Sequence, residues 1–305
     1  MKPFDILVAG EINPDLILSG NVIPAFDQTE KLVDSATLTI GSSSAIFACG
    51  AARLGLRVAF LGVCGDDLFG HFILSELDKR GVDVSHMIVR ADGQTGLSVI
   101  LNQGADRAIL THPGLIAALQ VSDIPNELLQ KARHLHVASY FLQTQLQPGL
   151  PDLFRRARAY GLTTSLDPNY DPSEAWFGFD ELLSVTNVFL PNEREAGSLS
   201  GEAHVDLAAD RLGNKVETLG IKLGAEGALG VHNGQHARAV SIPVSVVDTV
   251  GAGDSFDAGF LYGYLNGWSL EKSLRLACVC GARSTQCEGG TDGQPTLRDA
   301  MTFLK

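Results

Sequence analysis

The chain has 305 residues, which is enough for one large α/β domain or two small ones. It is 45% hydrophobic and 19% charged, as in ordinary soluble proteins, and its formal net charge of −12 argues against a nucleic-acid-binding protein, which would present a basic surface. No apolar run approaches the ~18 residues of a membrane span, and the run at residues 6–10 is too short for a signal peptide.

The cysteines give no sign of a metal site or a disulfide framework. They are five in number, and their spacing lacks the paired pattern of a zinc site: Cys49, Cys64, Cys278, Cys280 and Cys287. We therefore predict buried, reduced thiols in a cytoplasmic protein.

The first predicted element is a buried strand at residues 6–9. The loop after a buried parallel strand is where α/β proteins place ligand-binding groups, and Asp15 follows this strand closely. Asp15 is therefore a candidate binding residue, although an aspartate beside a proline is also common in turns. Residues 12–40 show patchy alternation and no convincing helix, which favours an extended excursion from the main sheet.

A helix at residues 45–54 is predicted next, beginning after Gly41-Ser42-Ser43-Ser44 and ending at Gly55. Residues 58–63 predict a second buried strand, and a helix through residue 79 follows. Residues 95–101 and 107–111 alternate around the turn-forming segment 102–106, which is typical of a β-hairpin. With residues 12–40, this hairpin is expected to form a small separate sheet.

From residue 134 the pattern alternates between strands and helices. Strands are predicted at residues 134–138, 163–166, 185–190 and 228–231, and a helix at residues 151–160. Such alternation predicts a doubly wound, largely parallel sheet. The carboxyl ends of its strands would line one crevice, so we expect Asp15, Asn192, Glu195 and Lys222 to lie near one another.

The glycine-rich segment Gly251-Ala252-Gly253-Asp254 is the part of the sequence that indicates a chemical reaction most specifically. The alternating residues 239–247 predict a strand before it, and the apolar residues 258–265 predict a helix after it. Free N–H groups at a helix start favour an anion, and a carboxylate beside that anion makes sense as a base that deprotonates an attacking hydroxyl. The alternative is an ordinary helix cap whose glycines serve tight packing.

The whole string from Asp248 to Phe260 resembles the C-terminal signature of the ribokinase-like (PfkB) family of sugar and nucleoside kinases. Residues 53–70 resemble its N-terminal signature. The resemblance implies one kinase domain over residues 1–305, with a doubly wound, mostly parallel sheet flanked by helices and a small β-sheet lid from residues 12–40 and 92–113. It also implies that Gly251, Ala252 and Gly253 form the anion hole and that Asp254 is the catalytic base.

The same resemblance assigns further sites, each with a plainer alternative. Asn192 and Glu195 match the family's phosphate and magnesium motif, but could be a simple helix start. The nucleotide-facing residues would be Lys222, Gly224, Gly227, Gly251 and Gly253, although the first three also suit a glycine-rich turn. In many members the residue at Asp248 and the carbonyl at Val250 help bind K⁺, here with a loop from Ser284 to Gly289. Asp248 is equally typical of a hydrogen-bonded turn.

We therefore predict an ATP- and Mg²⁺-dependent kinase that phosphorylates a hydroxymethyl group of an unphosphorylated monosaccharide, with Asp15, Gly41, Ser42 and Gln143 contacting the sugar beside Asp254. The two lid segments contain only Lys31, Arg107 and one aromatic residue, Phe26, so they are poorly suited to a sugar phosphate or a nucleobase. The alternatives are a sugar acid bound by Arg107, resembling 2-keto-3-deoxygluconate, and a nucleoside. A homodimer through the lid is also expected.

Two points run against a simple transfer of the family pattern. Ser42 and Ile46 replace a glycine and a sugar-binding asparagine of the N-terminal signature.

Rival functions are a hydrolase with Ser255 as nucleophile and a non-catalytic sugar or nucleotide sensor. The hydrolase lacks both a Gly-x-Ser-x-Gly motif and an identifiable histidine partner.

Overall fold

The computed structural model describes residues 2–103, 106–176 and 178–304. Part of the hairpin turn predicted at residues 102–106 lies outside them. The strands are β1 Phe4–Ala9, β2 Pro14–Ser19, β3 Ser35–Ile40, β4 Val58–Leu61, β5 Val63–Gly65, β6 Val82–Asp83, β7 Ile88–Arg90, β8 Leu97–Gln103, β9 Asp106–His112, β10 Ala132–Val137, β11 Thr163–Leu166, β12 Val188–Phe189, β13 Thr218–Lys222, β14 Ala228–His232 and β15 Gln235–Ala239. The helices are α1 Ser43–Arg53, α2 Leu68–Lys79, α3 Asn126–Leu129, α4 Leu150–Ala159, α5 Phe179–Ser184, α6 Glu193–Ser200, α7 Val205–Gly213, α8 Ala252–Leu265, α9 Leu270–Ser284 and α10 Leu297–Met301.

The main sheet has nine strands in the order β15-β14-β13-β12-β11-β10-β1-β4-β6. Counted along the sheet, the seven strands from β13 at one side to β6 at the other run parallel to one another. β14 and β15 form an antiparallel edge beside β13. The predicted doubly wound, mostly parallel sheet flanked by helices is confirmed. The chain moves outward from β1 first through β4 and then through β10, so the order reverses beside β1, where α/β folds bind ligands.

Alternation along the strands divides the interior into two apolar layers. In β1, Leu7 and Ala9 face the layer that α3 to α7 cover, whereas Ile6 and Val8 face the layer that α1, α2, α8 and α9 cover. Successive side chains of a strand point to opposite faces, so both faces of this buried strand are apolar. The helices are therefore fixed on the sheet by burial, and their ends are fixed near the strand ends.

A second, four-stranded sheet has the order β3-β2-β8-β9 and stands apart from the main sheet. β2 and β8 pair in parallel, while β3 and β9 flank them antiparallel. Every residue of β9 is exposed. Residues 12–40 and 92–113, the segments that we call the lid, supply all four of these strands.

Two strand predictions were wrong in extent. Residues 240–247 form no strand, because β15 ends at Ala239 as the second arm of a hairpin with β14. Beyond it Val240 is 82% exposed, so the alternation that predicted a strand has no sheet to pack against. In the segment 185–190 only β12 pairs, because Val185 closes the C-terminal end of α5.

The cysteine prediction holds for four positions and fails at one. Cys49, Cys64, Cys278 and Cys280 are buried and unpaired, whereas Cys287 is exposed after the end of α9. Across the described residues, no helix has both the length and the apolar character needed to cross a membrane.

Candidate active site

The turn at the start of α8 is shaped by two glycines with different constraints. Gly251 has φ +70°, and a Cβ there would stand 2.7 Å from the Cα of Gly290 and 2.8 Å from Cγ2 of Ile46. A Cβ on Gly253 would meet nothing closer than the Lys222 side chain, at 3.6 Å. Gly251 is thus required by the backbone and its packing, whereas Gly253 leaves open space beside the first N–H groups of the helix.

Asp254 lies in the first turn of α8 and is 8% exposed. Burial raises the pKa of its carboxyl to about 8, and the negative charge of Asp167 adds to that rise while Lys222 opposes it. A hydrogen bond with Ser43 also favours the ionised form. Asp254 is therefore a carboxylate whose basicity is raised toward neutral pH, as suits a general base.

Lys222 reaches the same place from the end of β13. Its Nζ donates to Oδ2 of Asp167 at 2.8 Å and to Oδ2 of Asp257 at 3.2 Å. Asp167 directly follows β11, and Asp257 lies one turn beyond Asp254 on α8. Three elements thus bring one ammonium and two carboxylates together beside the glycine turn.

Asn192 and Glu195 begin α6 and form a reciprocal capping box. Asn192 accepts from the N–H of Glu195 at 2.9 Å, and the carboxylate of Glu195 accepts from the backbone N–H of Asn192 at 2.9 Å. Burial raises the pKa of Glu195 to about 7, with Asp167 adding to the rise and Lys222 opposing it. The helix-start interpretation is correct for the local structure, and it leaves Glu195 facing the same charged cluster.

A cavity of about 590 Å³ opens beside the α8 turn. Four residues predicted to face a nucleotide line it: Lys222, Gly224, Gly227 and Gly253. Its apolar lining comes from the loop after β15 together with α8 and α9: Ile242, Val244, Val246, Phe256 and Cys278. The cavity thus combines a phosphate-compatible helix start with apolar walls.

Asp15 lies in β2 and is 6% exposed. Its Oδ1 accepts from Nδ2 of Asn13 at 3.1 Å, and a Cβ on Gly41 would stand only 2.1 Å from the same oxygen. Burial raises the pKa of Asp15 to about 7, with Asn13 and Arg107 acting in the opposite direction. Gly41 therefore lets the chain pass close to Asp15 and forms part of the same polar wall.

Two predicted sugar contacts, Ser42 and Gln143, have other partners in the structure, and so does Ile46, which replaces the family's sugar-binding asparagine. The hydroxyl of Ser42 donates to the carbonyl of Glu11 at 2.7 Å and caps α1, with φ +70° at Ser42. Gln143 is 1% exposed and donates to the carbonyl of Ala138 at 2.6 Å. Ile46 packs against Gly251 and Gly290, so it supports the glycine turn where the family pattern has a sugar-binding asparagine.

The predicted cation site has a different immediate environment from that expected. Both carboxylate oxygens of Asp248 accept backbone N–H groups, from Val250 and Gly289, each at 2.9 Å. The guanidinium of Arg107 lies 3.9 Å from Asp248, so this predicted substrate contact instead faces the loop before α8. Ser284 is fully buried and its hydroxyl donates to the carbonyl of Gly281 within α9.

Sequence reasoning missed the acids that surround Asp254: Glu11, Asp167 and Asp257. Glu11 is 3% exposed and accepts hydrogen bonds from Ser44 and Ser139. Two signals were available in the sequence. Asp257 is an acid in an otherwise apolar helix, three residues from Asp254 and hence on the same face, and Asp167 is an acid at the tip of a predicted buried strand.

Two further observations bear on alternative sites. Ser255 is 1% exposed and its hydroxyl accepts from Gln294 at 3.0 Å, so the hydrolase alternative gains no support from its environment. In the described part of the chain, no group of three or more His, Cys, Asp and Glu side chains is arranged to hold a metal ion on its own.

Comparison with known proteins identifies close relatives. The family model described as pfkB family carbohydrate kinase matches residues 4–297. An uncharacterized sugar kinase of Archaeoglobus fulgidus is 31% identical over 254 residues, covering 82% of this chain and 100% of that protein. The 2-dehydro-3-deoxygluconokinase of Bacillus subtilis is 34% identical over 272 residues, 84% of each chain. An Escherichia coli protein solved in complex with ATP and Mg²⁺ superimposes with a TM-score of 0.85 at 22% identity, over 99% of both chains.

Proposed function

The chain belongs to the pfkB family of carbohydrate kinases, and from this premise we propose that it transfers the γ-phosphoryl group of ATP to a hydroxymethyl group of an unphosphorylated monosaccharide. Asp254 takes the proton of that hydroxyl. The oxygen then attacks the γ-phosphorus, the bond to the bridging oxygen breaks, and ADP leaves with that electron pair. The N–H groups of the turn Gly251, Ala252 and Gly253 stabilise the charge on the transferring group.

The observation that carries this proposal is the environment of Asp254. The carboxyl of Asp254, whose pKa burial raises to about 8, lies in the first turn of a helix whose start a glycine leaves open, and that helix start lines a cavity of about 590 Å³. Asp254 also faces three other buried acids, Glu11, Asp167 and Asp257, an arrangement that capping a helix does not require. A buried carboxyl with a raised pKa beside a helix start is typical of a general base, and this favours an enzyme over a non-catalytic sensor.

The cavity supports assignment of the nucleotide. Its apolar walls suit a purine ring, and Gly224, Gly227 and Gly253 leave room for the sugar and phosphates. Glu195 fits Mg²⁺ through water, because its carboxylate is buried near Lys222, which lines the cavity, and Mg²⁺ keeps several waters. When bound, Mg²⁺ neutralises phosphate charge. The residues of this chain position the nucleotide and the hydroxyl.

A monovalent cation is the finer part of the proposal. The loop around Asp248, the carbonyl of Val250 and the segment Ser284 to Gly289 would hold K⁺ beside the anion hole. Asp248 is 8% exposed and orders the backbone at both Val250 and Gly289, so a cation there would stiffen the turn. Equal turnover in K⁺ and in a bulky organic cation, at fixed ionic strength, would remove K⁺ from the mechanism.

The sugar pocket is best suited to a neutral substrate. Asp15, Asn13 and Ser98 form a hydrogen-bonded polar set in the lid, and Gly41 lies against it. Such groups suit hydroxyls, whereas Arg107 is partly neutralised by Asp248. The alternative is a sugar acid, which the similarity to a 2-dehydro-3-deoxygluconokinase favours and for which Arg107 would supply the cation.

The lid also supports a homodimer. Ile109 and Leu110 of β9 are 53% and 61% exposed, and Phe26 is 90% exposed. Exposed apolar groups on an edge sheet are typical of protein interfaces. Sedimentation velocity at micromolar concentrations tests this proposal, since a monomer across that range would contradict it.

The experiment for the whole proposal is ADP release measured against a panel of neutral sugars, sugar acids, sugar phosphates and nucleosides. We expect the highest kcat/KM with a neutral monosaccharide. Asp254→Asn should lower kcat by ~10²–10⁴-fold while ATP still binds, because general-base help is lost. A folded Asn variant with wild-type kcat would disprove the role of Asp254, and a preference for a sugar phosphate would disprove the substrate class.

A further inference from the structure

Lys222 is held by the carboxyl groups of two buried aspartates. The exposed fractions of the side chains are 12% for Lys222, 2% for Asp167 and 1% for Asp257. Burying three charged groups together is costly unless their charges are compensated by pairing and hydrogen bonds. The cluster is therefore expected to be close to neutral overall.

The two carboxyls divide the proton between them unequally. Burial raises the pKa of Asp257 well above its usual range. For Asp167 burial also acts to raise the pKa, but the charge of Lys222 together with hydrogen bonds from Asp257, Lys222 and Asn169 lowers it overall. Asp167 is thus ionised and pairs with the ammonium, while Asp257 keeps its proton and hydrogen-bonds to Asp167. Lys222 with ionised Asp167 and protonated Asp257 carries no net charge.

This cluster touches the glycine turn. Cδ and Nζ of Lys222 would lie 3.6 Å from a Cβ at Gly253. Asp257 is attached to the same helical turn as Asp254. The ammonium is therefore fixed beside both the helix start and the proposed base.

The other groups around Asp254 are acidic or neutral. Those that act on its charge come from the loop after β1, from α1, from the tip of β11, from the end of β13 and from α8 itself: Glu11, Ser43, Asp167, Lys222 and Asp257. Glu195 of α6 faces the same cluster. Lys222 is the one cation among these groups of the described chain.

We propose that Asp167 and Asp257 hold the Lys222 ammonium beside the glycine turn as a fixed positive charge that favours the ionised form of Asp254, the form that accepts the proton of the hydroxyl. Lys222 acts through Asp254 and is a positioning residue, as are the two acids that hold it. This inference rests on the proposed role of Asp254 as the base.

The test is the pH profile of kcat/KM for the sugar at saturating Mg²⁺-ATP. Lys222→Met removes the cation, so the acid limb should move up by about one pH unit, and kcat at pH 7 should fall. Asp167→Asn removes an anion, so the limb should move down. Asp257→Asn should move it less than Asp167→Asn does, because Asp257 is already protonated.

Lys222→Arg retains the charge and should restore most of the wild-type profile. Lys215→Met is the matched control, since Lys215 lies at the surface after α7 and pairs with Asp180. Melting curves identify variants that do not fold; if Lys222→Met is one of them, the Lys222→Arg and Asp167→Asn profiles decide. The inference would be overturned if the acid limbs of the variant pH profiles stayed within 0.2 pH units of the wild-type limb, or if they all moved in the same direction.

The outcomes separate this inference from the proposed function. Full activity of Asp254→Asn would disprove the base assignment itself. An inactive Asp254→Asn with unshifted limbs for the Lys222 and Asp167 variants would leave the base in place and disprove only the role of Lys222.

Discussion

At the scale of single residues, the glycines of the α8 turn have separable roles. Gly251 adopts φ +70° against Gly290 and Ile46, so its geometry is set by folding. Gly253 has helical backbone geometry and open space beside its Cα. A side chain there would leave the packing unchanged but would occupy the space that the proposed phosphoryl group must enter. A paired substitution can therefore distinguish stability from catalysis at neighbouring positions.

Gly253→Ala should fold with wild-type stability, because alanine favours a helix and its Cβ meets only the Lys222 side chain. We expect kcat to fall ~10²-fold, the usual cost of disturbing one anion-hole donor. Gly251→Ala should instead lower the free energy of unfolding by ~1–3 kcal/mol, because the residue is strained and crowded.

Urea unfolding and steady-state kinetics on both variants check this expectation. Gly253→Ala with full activity would contradict the anion-hole assignment. Gly251→Ala with unchanged stability would contradict the packing argument.

Residue roles could be proposed from the sequence where one short segment contains the relevant residue types. The segment from Gly251 to Asp254 is such a case, because the glycines and the proposed base are consecutive. Asp167 and Lys222 are 55 residues apart along the chain and meet only through the order of β11 and β13 in the sheet. Neither has a local sequence neighbour that reveals the other, so their pairing was not predicted.

At the scale of elements, the lid contributes one cation whose partner differs from that expected. Arg107 of β9 faces Asp248 in the loop before α8, and its side chain is 39% exposed. The pair links the lid to the anion-hole loop. Its length of 3.9 Å and its exposure mean that the attraction is weak, so the guanidinium could be recruited by a substrate anion.

Arg107→Met decides between a neutral sugar and a sugar acid. With a neutral substrate we expect kcat/KM to change less than threefold, since such a substrate offers no anion for the guanidinium to pair with. With a sugar acid, loss of a charge-assisted hydrogen bond should lower kcat/KM by ~10–10²-fold. Lys31→Met is the control, because Lys31 is the other lid cation and is exposed.

The measurement is kcat/KM for the best neutral sugar and the best sugar acid with both variants. A large loss with the sugar acid alone, combined with a higher wild-type kcat/KM for that acid, would replace the neutral-sugar proposal by its alternative.

Most elements were predictable because burial gives a clear period. β11 agrees with its prediction residue for residue, since its β-branched threonines favour a strand and turn-forming residues bound it on both sides. The segment 240–247 is equally alternating, but the preceding hairpin of β14 and β15 already forms the sheet edge. Periodicity reports which side chains could be buried, and tertiary pairing decides whether a strand forms.

At the scale of the whole molecule, the active-site acids should make stability depend on pH. Burial raises the folded-state pKa of Asp254 to about 8, and those of Asp15 and Glu195 to about 7. Between pH ~4 and ~8 the folded protein therefore binds protons that the unfolded chain releases. The contribution of these three groups to the free energy of unfolding is therefore greatest below pH ~4, where they are protonated in both states. It decreases as the pH rises from ~4 through the folded-state pKa values of about 7 and 8.

We predict that the Tm of the ligand-free protein falls between pH 5.5 and pH 9. Asp254→Asn should reduce that fall and raise Tm at pH 8 by ~2–4 °C, because a neutral amide needs no ionisation in the interior. Differential scanning calorimetry across this range is the measurement. A Tm that rises with pH, or an Asn variant that is less stable at pH 8, would contradict the assigned shifts.

The order in which the chain contributes the site has a consequence for synthesis. Glu11, Ser43, Asp167 and Lys222 are all translated before the α8 turn, and the loop that supports this turn through Gln294 comes later still. A ribosome-bound nascent chain would therefore expose a cluster of acids with no anion hole to complete it. Such a chain cannot carry out the proposed phosphoryl transfer until the segment through Gln294 has been synthesised and has packed against Ile46 and Ser255.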